Sequence, residues 1–489
     1  MTAIRSSFKC VPAPENVSLP DYFLQEIDTF GDSPAFIWPK TEEIITFADL
    51  RVKIKQLCAG LQILGLKKGD VCGTFMGNNP EFVMLFLAAQ RLGVVVTTCN
   101  PAYTPAKPGD YAILPQIHPK EDLAFILYSS GTTGLPKGVM TSHYGFVANL
   151  HTIKSLEYAN DEMLLLDKND TVMGVLPFFH AGGIITILFM LLQGAKIVIN
   201  TRFEPQEFLA MIQKYQVTTL NLVPPVIVFL AKSPLVDKYD LKSLKNIYIG
   251  AAPVPMAVAD EARKRLNIHN LIQLFGMTEL GIIAFMSPVT AQSRMKDGTC
   301  GVLMPGLECK VIDPVSGKVC GPMDDGELWI KSPSVMKGYL RNPVATKETL
   351  MPGGWLRTGD IGHYDSDHYF FIVDRLKELI KVRGWQVAPA EIEAVLLRHK
   401  SVGDCSVIGI PDLYSGELPR AYIILKAGEN ASAEEITEFV KGHVSSYKQL
   451  AGGVEFVTDL PKTASGKVLR RVLLQRYKEK SAKTKSAKL

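Results

Sequence analysis

Between Tyr128 and Val139 the chain reads YSSGTTGLPKGV. Glycines 131, 134 and 138 allow backbone N–H groups to come close to an anion. Ser129, Ser130, Thr132 and Thr133 add hydroxyl donors, and Lys137 adds a positive charge on a long stem. The stretch follows the apolar run Leu123–Leu127 and leads into a second strand-like segment, GVMTSH, so it sits at the tip of a hairpin. These are parts for holding a polyphosphate; the bland alternative is a solvated loop. It is not a Walker-type loop. That motif needs G-x-x-x-x-G-K-[ST] ahead of a helix, and no G-K-[ST] occurs here; Gly466-Lys467 is followed by Val468.

The same stretch closely resembles the phosphate loop of the adenylate-forming enzymes, the superfamily of acyl-CoA synthetases, 4-coumarate:CoA ligases and firefly luciferase. Other segments resemble the remaining family motifs in family order: LPFFH (176–180), GAAPV (250–254), QLFGMTE (273–279), GELWIKSPSVMKGY (326–339), GWLRTGD (354–360), DRLKELIKVRGWQVAPAEIE (374–393) and PKTASGK (461–467). The resemblance covers most of the chain and is nearest the 4-coumarate ligase and luciferase-like branch. It implies an ATP- and Mg²⁺-dependent enzyme. A carboxylate would attack the α-phosphorus of ATP to give an acyl-adenylate, and coenzyme A would then displace AMP. Such chemistry rests mainly on positioning and charge stabilisation.

The resemblance also assigns residues. Glu279, with Thr132, would hold Mg²⁺, a cation that prefers hard oxygen ligands, and Thr278 would bond the α-phosphate. Gly250, Ala251, Ala252, Pro253 and Gln273 would line the adenine pocket. Leu274 and Gly276 belong to the same nucleotide-binding stretch, and Phe275, where relatives often carry Tyr, keeps an aromatic face. Asp360 would accept both ribose hydroxyls, and Arg375 would reach the ribose. His180 would stand at the mouth of an acyl pocket with Ala181, Gly182 and Ile185, and 221–229 (NLVPPVIVF) would add apolar lining. Lys467 would serve adenylation and Lys381 the thioester half. Both lie in the small domain, so it would have to rotate about a hinge at Lys377, itself also near the nucleotide. Arg383 and Gly384 would touch coenzyme A. Alone, each of these residues has an ordinary reading as a turn, rim or surface group.

The elements that must carry these residues alternate. A helix with apolar positions 50, 54, 57, 58, 61 and 64 stops at Gly65. Strand 71–76, a helix begun by Asn79-Pro80 and running to Arg91, and strand 94–98 follow. Helix 205–215 lies between strands 195–199 and 217–222, and helix 255–266 follows strand 246–250. Alternation of this kind predicts largely parallel sheets covered by helices. Beyond about 375 a shorter module is predicted: helix 389–399, strands 405–410 and 420–426, helix 432–446, strand 454–458 and helix 467–478. Ser432 and Glu435 have capping-box spacing. The predicted fold is α/β, a large domain over 1–375 and a small mobile α+β domain over 376–489 with a basic tail.

One stretch departs from the family. Only 23 residues separate Thr104 from Tyr128, four of them proline (105, 108, 115 and 119), too many for a helix. An extended linker is expected there, with an α/β unit missing around 105–122 and a sheet edge left partly exposed. That leaves a rival reading, an impaired nucleotide-binding scaffold. A luciferase-like oxygenation is a second rival, set against by Ile282, where luminous relatives tend to carry a small polar residue.

The 489 residues are 47% hydrophobic and 21% charged with a net charge of +4. This is globular composition with no basic stripe, and no nucleic-acid partner is expected. The eight cysteines form no CxxC pair or zinc spacing. The most apolar segment, 181–200, is broken by Gly194 and Lys196, so a buried helix and strand are expected in place of a span of about 20 apolar residues. Ala487-Lys488-Leu489 resembles the S-K-L address read by the peroxisomal import receptor; without it a cytoplasmic location is expected.

Overall fold

The computed structural model describes residues 3–98, 116–129, 136–158, 163, 166–250, 254, 256–268, 270–289, 296, 298–383, 385–426, 428–462 and 468–486. The large domain contains three sheets. In the first, five strands lie in the order Gly338–Tyr339, Lys137–Ser142, Leu123–Ser129, Val95–Thr98, Val71–Thr74. The apolar run Ala124–Leu127 is buried at its centre, as a strand covered on both faces requires. The second has nine strands, from Glu43–Thr46 at one edge to Val302–Leu303 at the other. The neighbouring strands Pro34–Trp38, Lys196–Ile199, Thr171–Gly174, Thr219–Leu222, Asn246–Ile249 and Asn270–Met277 run parallel at its core. The third is antiparallel and ends on the pair Trp355–Tyr364 and Phe370–Arg375.

Local chemistry starts the helices where the sequence predicts. Asn79 accepts from the Phe82 N–H at 2.7 Å and caps Pro80–Arg91, with proline in its first turn. Thr46 and Asp49 form a reciprocal capping box for Phe47–Ile63. Ser432 accepts from the Glu435 N–H at 3.1 Å and begins Ala433–Lys441. The apolar segment 181–200 is a helix, Ala181–Leu192, followed by a strand, Lys196–Ile199. Among the described residues no helix is long and apolar enough to cross a membrane.

The strands on either side of the short stretch are direct neighbours. Val96 pairs with Phe125 and Thr97 with Ile126 in parallel register, so the sheet closes across the gap. Lys68 braces the closure through the Asp122 carboxylate and the Gln116 carbonyl. The expected linker at 105–115 lies outside the described residues. Val71–Thr74 pairs on one side only among the described strands. Beside this edge the helix face predicted to be apolar inward divides: Leu50 and Ile54 are fully buried, whereas Leu64 is 56% exposed. Between them Cys58 is buried, and Leu57 and Leu61 are partly buried against the core.

A chain of phenylalanines joins the two parallel sheets. Phe178 meets Phe82, Phe82 meets Phe86, Phe86 meets Phe125 at 5.4 Å, and Phe125 meets Phe146 edge-on at 5.1 Å. All five are fully buried; each burial contributes about 1.5–3 kcal/mol.

The C-terminal module has its own core, including Ile380, Val387, Ile392, Leu396, Val407, Ile423 and Ile436. The bounds of its elements differ from expectation. Helix 389–399 ends at Leu396, and helix 432–446 ends at Lys441, ahead of Gly442. The strands extend to Val402–Asp412 and Gly416–Leu425, a long hairpin. Pro411 is tolerated because its strand is an edge, where a missing N–H leaves no ladder bond unmade. The last helix runs over Arg470–Ser486.

His143 is a buried histidine in the first turn of helix His143–Lys154. Its Nδ1 accepts from the Leu19 N–H at 3.2 Å, and burial holds its pKa down to about 4. The unfolded chain therefore binds a proton below about pH 6.5 that the folded chain refuses until about pH 4. Stability is full above pH 6.5 and falls as pH drops through that window. Between pH 7 and 4.5 the wild type should lose about 2–3 kcal/mol more than His143→Gln in urea unfolding; parallel pH profiles would refute this.

Candidate active site

The phosphate hairpin is pinned at its neck. Ser129 pairs with Lys137 and Tyr128 with Gly138, and the tip (Ser130, Gly131, Thr132, Thr133 and Gly134) lies outside the described residues. A Cβ on Gly138 would come 2.9 Å from Ile126 Cγ2, so a larger residue at the neck would have to push the Ile126 side chain aside. Lys137 Nζ stands 4.7 Å from the centre of the Tyr339 ring. The Tyr339 hydroxyl donates to Glu279 Oε1 at 2.8 Å. Glu279 is 5% exposed, in a 3-10 turn, Thr278–Leu280, that ends at Gly281 with φ 71°. Burial and the Glu279 carboxylate push the Tyr339 phenol well above its ordinary range, so it remains a donor. Arg375 Nε contacts Asp360 Oδ1 at 2.8 Å from the adjacent strand, where the two residues are register partners. The structure thus joins Lys137 and Glu279 through Tyr339, a residue that sequence reasoning left unassigned within its own motif, and pairs Asp360 with Arg375 on adjacent strands.

The nucleotide-binding stretches end neighbouring strands. Gly250 follows Asn246–Ile249, whose Ile249 is in register with Gln273. Ala251, Ala252 and Pro253 lie outside the described residues. Leu274, Phe275 and Gly276 follow on Asn270–Met277, with a bulge between Phe275 and Gly276, and the Phe275 ring packs on Phe285 at 5.5 Å.

His180 caps the helix Ala181–Leu192: its Nδ1 accepts from the Gly182 N–H at 3.2 Å, so a neutral ring carries its proton on Nε2. The loop ahead of it is held by Asn78, also missed in the sequence. Asn78 Nδ2 donates to the carbonyls of Gly174, Leu176 and Asn200, and its Oδ1 accepts from the Phe178 N–H at 2.8 Å. Thr98, ending the strand before the gap, donates to the Phe179 carbonyl. A Cβ on Gly183 would overlap the Pro177 carbonyl. Ala181 and Ile185 are packed into the core at 2% and 1% exposure, so a substrate would touch Ile185 only after neighbouring side chains move.

Of the small-domain residues, Lys381 is exposed on the strand Ile380–Val382, its own N–H donating to Glu417 Oε2 at 2.8 Å. Arg383 takes a left-handed backbone (φ 50°) and bonds Ser415 through Nε at 3.2 Å. Lys377 sits in the turn between Phe370–Arg375 and Ile380–Val382. Lys467, Gly384 and Ala487–Leu489 lie outside the described residues. Among the described residues no group of three His, Cys, Asp or Glu side chains could hold a metal ion. Glu279, whose Oε1 takes the Tyr339 hydroxyl and whose Oε2 accepts no hydrogen bond among the described residues, fits a cation bound by one carboxylate and substrate phosphate, the habit of Mg²⁺.

A profile of the AMP-binding enzymes matches residues 23–107 and 108–340, and one of the AMP-binding enzyme C-terminal domain matches 391–467. The chain belongs to the AMP-binding enzyme family. It is an enzyme of the acid–thiol ligase kind, with the mixed α/β adenylate-forming fold of a large N-terminal and a C-terminal domain, as predicted. It is similar to 4-coumarate–CoA ligase CCL1 of Humulus lupulus, 35% identical over 96% of this chain and 95% of that one. ATP-bound MatB of Rhodopseudomonas palustris superposes with a TM-score of 0.83 at 25% identity, over 94% of this chain and 99% of the other. MenE of Bacillus subtilis, an o-succinylbenzoate CoA synthetase in complex with its acyl-adenylate, gives 0.78 at 25% identity, over 95% and 98%. The family match is interrupted at 107/108, inside the proline-bearing stretch. The Humulus alignment spans 528 residues, more than this chain's 489, so that relative carries residues absent here.

Behind the candidate catalytic loop, Arg470 pairs with Glu378 and makes two 2.8 Å bonds to Glu393. Arg470→Met would leave two largely buried carboxylates without their cation. The C-terminal module should lose about 3 kcal/mol, the low end for a broken buried pair because these groups keep some contact with water. Urea unfolding of the full chain followed at Trp385 checks this; an unchanged midpoint would refute it.

Proposed function

We propose that this enzyme uses ATP to activate a hydrophobic carboxylic acid, fatty or arylalkenoic, and transfers the acyl group to coenzyme A. The supporting observation is that Tyr339 links Lys137 at the hairpin neck to Glu279, while Asp360 and Arg375 pair on adjacent strands, so that the cations and carboxylates of the expected site occur as two preformed pairs. In the first half a substrate carboxylate oxygen bonds to the α-phosphorus, and the bond to the bridging oxygen breaks to release pyrophosphate. In the second half the coenzyme A thiolate bonds to the acyl carbon and AMP leaves. Mg²⁺, held through Glu279, would neutralise phosphate charge. The chain's own groups orient the rest: Lys137 and the hairpin hold phosphate, Phe275 faces adenine, Asp360 and Arg375 take the ribose, and His180 meets the carboxylate. The apolar run 221–229 and the helix after His180 favour an apolar acyl group.

Lys467 would neutralise the carboxylate and α-phosphate during adenylation, and Lys381 would take its place for thioester formation. Lys467→Ala should lower pyrophosphate release by about 10²–10³-fold while sparing thioester formation from supplied acyl-adenylate, with Lys381→Ala showing the reverse bias. Equal damage to both halves would end the two-lysine scheme. Pyrophosphate release against a panel of carboxylic acids, with and without coenzyme A, tests the reading itself. Nucleotide binding without turnover on any acid would favour the impaired scaffold.

We also propose a peroxisomal location, supported by the residue types of Ala487-Lys488-Leu489. Deleting the three should move a tagged protein to the cytosol without altering activity in vitro; an unchanged distribution would refute the address.

A further inference from the structure

The segment 332–340 is threaded between the two halves of the phosphate site. Ser334 Oγ donates to the Leu280 carbonyl at 2.8 Å, and the Met336 N–H donates to the Glu279 carbonyl at 2.9 Å. One and four residues after Met336, the Lys337 and Leu340 N–H groups donate to the carbonyls of Met140 and Gly138 on the hairpin's return strand, each at 2.8 Å. The Tyr339 N–H donates to Thr346 Oγ1 at 2.9 Å. A few residues of main chain are thus fastened to the turn carrying Glu279 and to the strand beginning with Lys137. The side chain of Tyr339, 6% exposed, reaches the same two residues, with its ring 4.7 Å from Lys137 Nζ and its hydroxyl 2.8 Å from Glu279 Oε1.

We propose that Tyr339 is a positioning residue that couples the phosphate-loop lysine to the cation-binding glutamate. The assignment rests on the adenylation reading above. With Oε1 engaged by the hydroxyl, the Glu279 carboxylate has one rotamer and leaves Oε2 for the cation. The ring face attracts the Lys137 ammonium without consuming its N–H donors, which stay available to phosphate. Both groups are then placed before substrate arrives, which is what gives a polar site its effect on developing charge.

Phenylalanine and leucine separate the two contacts. Tyr339→Phe keeps the ring and removes the hydroxyl; Tyr339→Leu removes both. The probe is ATP, read by the thermal shift of the full-length protein across a Mg²⁺ titration and again in EDTA. For Tyr339→Phe the Mg²⁺ concentration giving half the shift should rise about tenfold, as for loss of a hydrogen bond to a charged group, with ATP binding in EDTA unchanged. Tyr339→Leu should show the same rise and also weaken ATP binding in EDTA by about threefold. In both, pyrophosphate release should fall more than thioester formation from supplied acyl-adenylate. In the Glu279→Gln background, Tyr339→Phe should have no further effect on the Mg²⁺ midpoint, which also decides the matter should the leucine variant not fold. An unchanged midpoint in Tyr339→Phe, or additive effects with Glu279→Gln, overturns this assignment while leaving the adenylation reading intact. A wild type that binds no ATP with Mg²⁺ overturns both.

Discussion

Everything at the phosphate site depends on the register between Gly338–Tyr339 and Lys137–Ser142. Side chains along a strand alternate faces, so a slip of one residue would send Tyr339 to the opposite face. Two local features guard the register. Gly338 has φ 143°, and a Cβ there would lie 2.9 Å from Thr346 Cγ2; Gly138 faces Ile126 at similar range. Glycine at both points lets the short strand lie close against the hairpin. The hairpin in turn is anchored by Phe125, fully engaged in the aromatic chain that reaches Phe178 and the loop before His180. The hairpin, the Glu279 turn and the loop before His180 therefore share one continuous packed support.

The short stretch before the hairpin tests how much of that support is needed. The strands flanking it pair directly, and Thr98 still reaches the Phe179 carbonyl. The residues absent here thus do not interrupt the path from the first sheet to the His180 loop. On the outermost described strand of this sheet Val71 is 60% exposed, and at the end of the preceding helix Ile63 is 86% exposed. Exposed apolar groups at an open strand edge raise the risk of association without touching the site. This physical separation explains how a shortened first sheet is compatible with an assembled cluster at Glu279.

The parts legible in the sequence were those set by local chemistry. Asn79-Pro80 and Arg91 bounded their helix correctly because capping and proline geometry act within a turn. The hairpin neck, the Thr278–Glu279 turn and the Asp360–Arg375 pairing all lay within recognisable motifs. What stayed hidden was long-range. Asn78 bonds carbonyls about 100 residues away, and Tyr339 bonds a carboxylate 60 residues earlier; nothing in the immediate neighbourhood of an asparagine or a tyrosine announces such a partner. The module ends misjudged after 396 and 441 had the same origin: a helical face can continue in the sequence after tertiary packing has ceased to support it.

The junction between domains combines a rigid unit with a weak seam. Arg470, Glu378 and Glu393 all lie beyond Lys377 and hold the helices Pro389–Leu396 and Arg470–Ser486 to the chain leaving the junction. They would move together if the small domain turned. Across the seam, Asp374 Oδ2 accepts from the Ala390 N–H at 3.0 Å, and Ile361 and Val373 meet Leu379 and Ala388 in a small apolar cluster. Burial pushes the Asp374 carboxyl up to about 6, so its charged form is poorly accommodated where it sits. A turn about Lys377 would break that hydrogen bond and expose a few apolar groups, but it would return Asp374 to water and regain its solvation. These changes oppose one another while the separate core around Ile392 and Ile423 stays closed. The turn that the proposed scheme with one lysine for each half-reaction demands would break contacts at this seam and none within the core around Ile392 and Ile423.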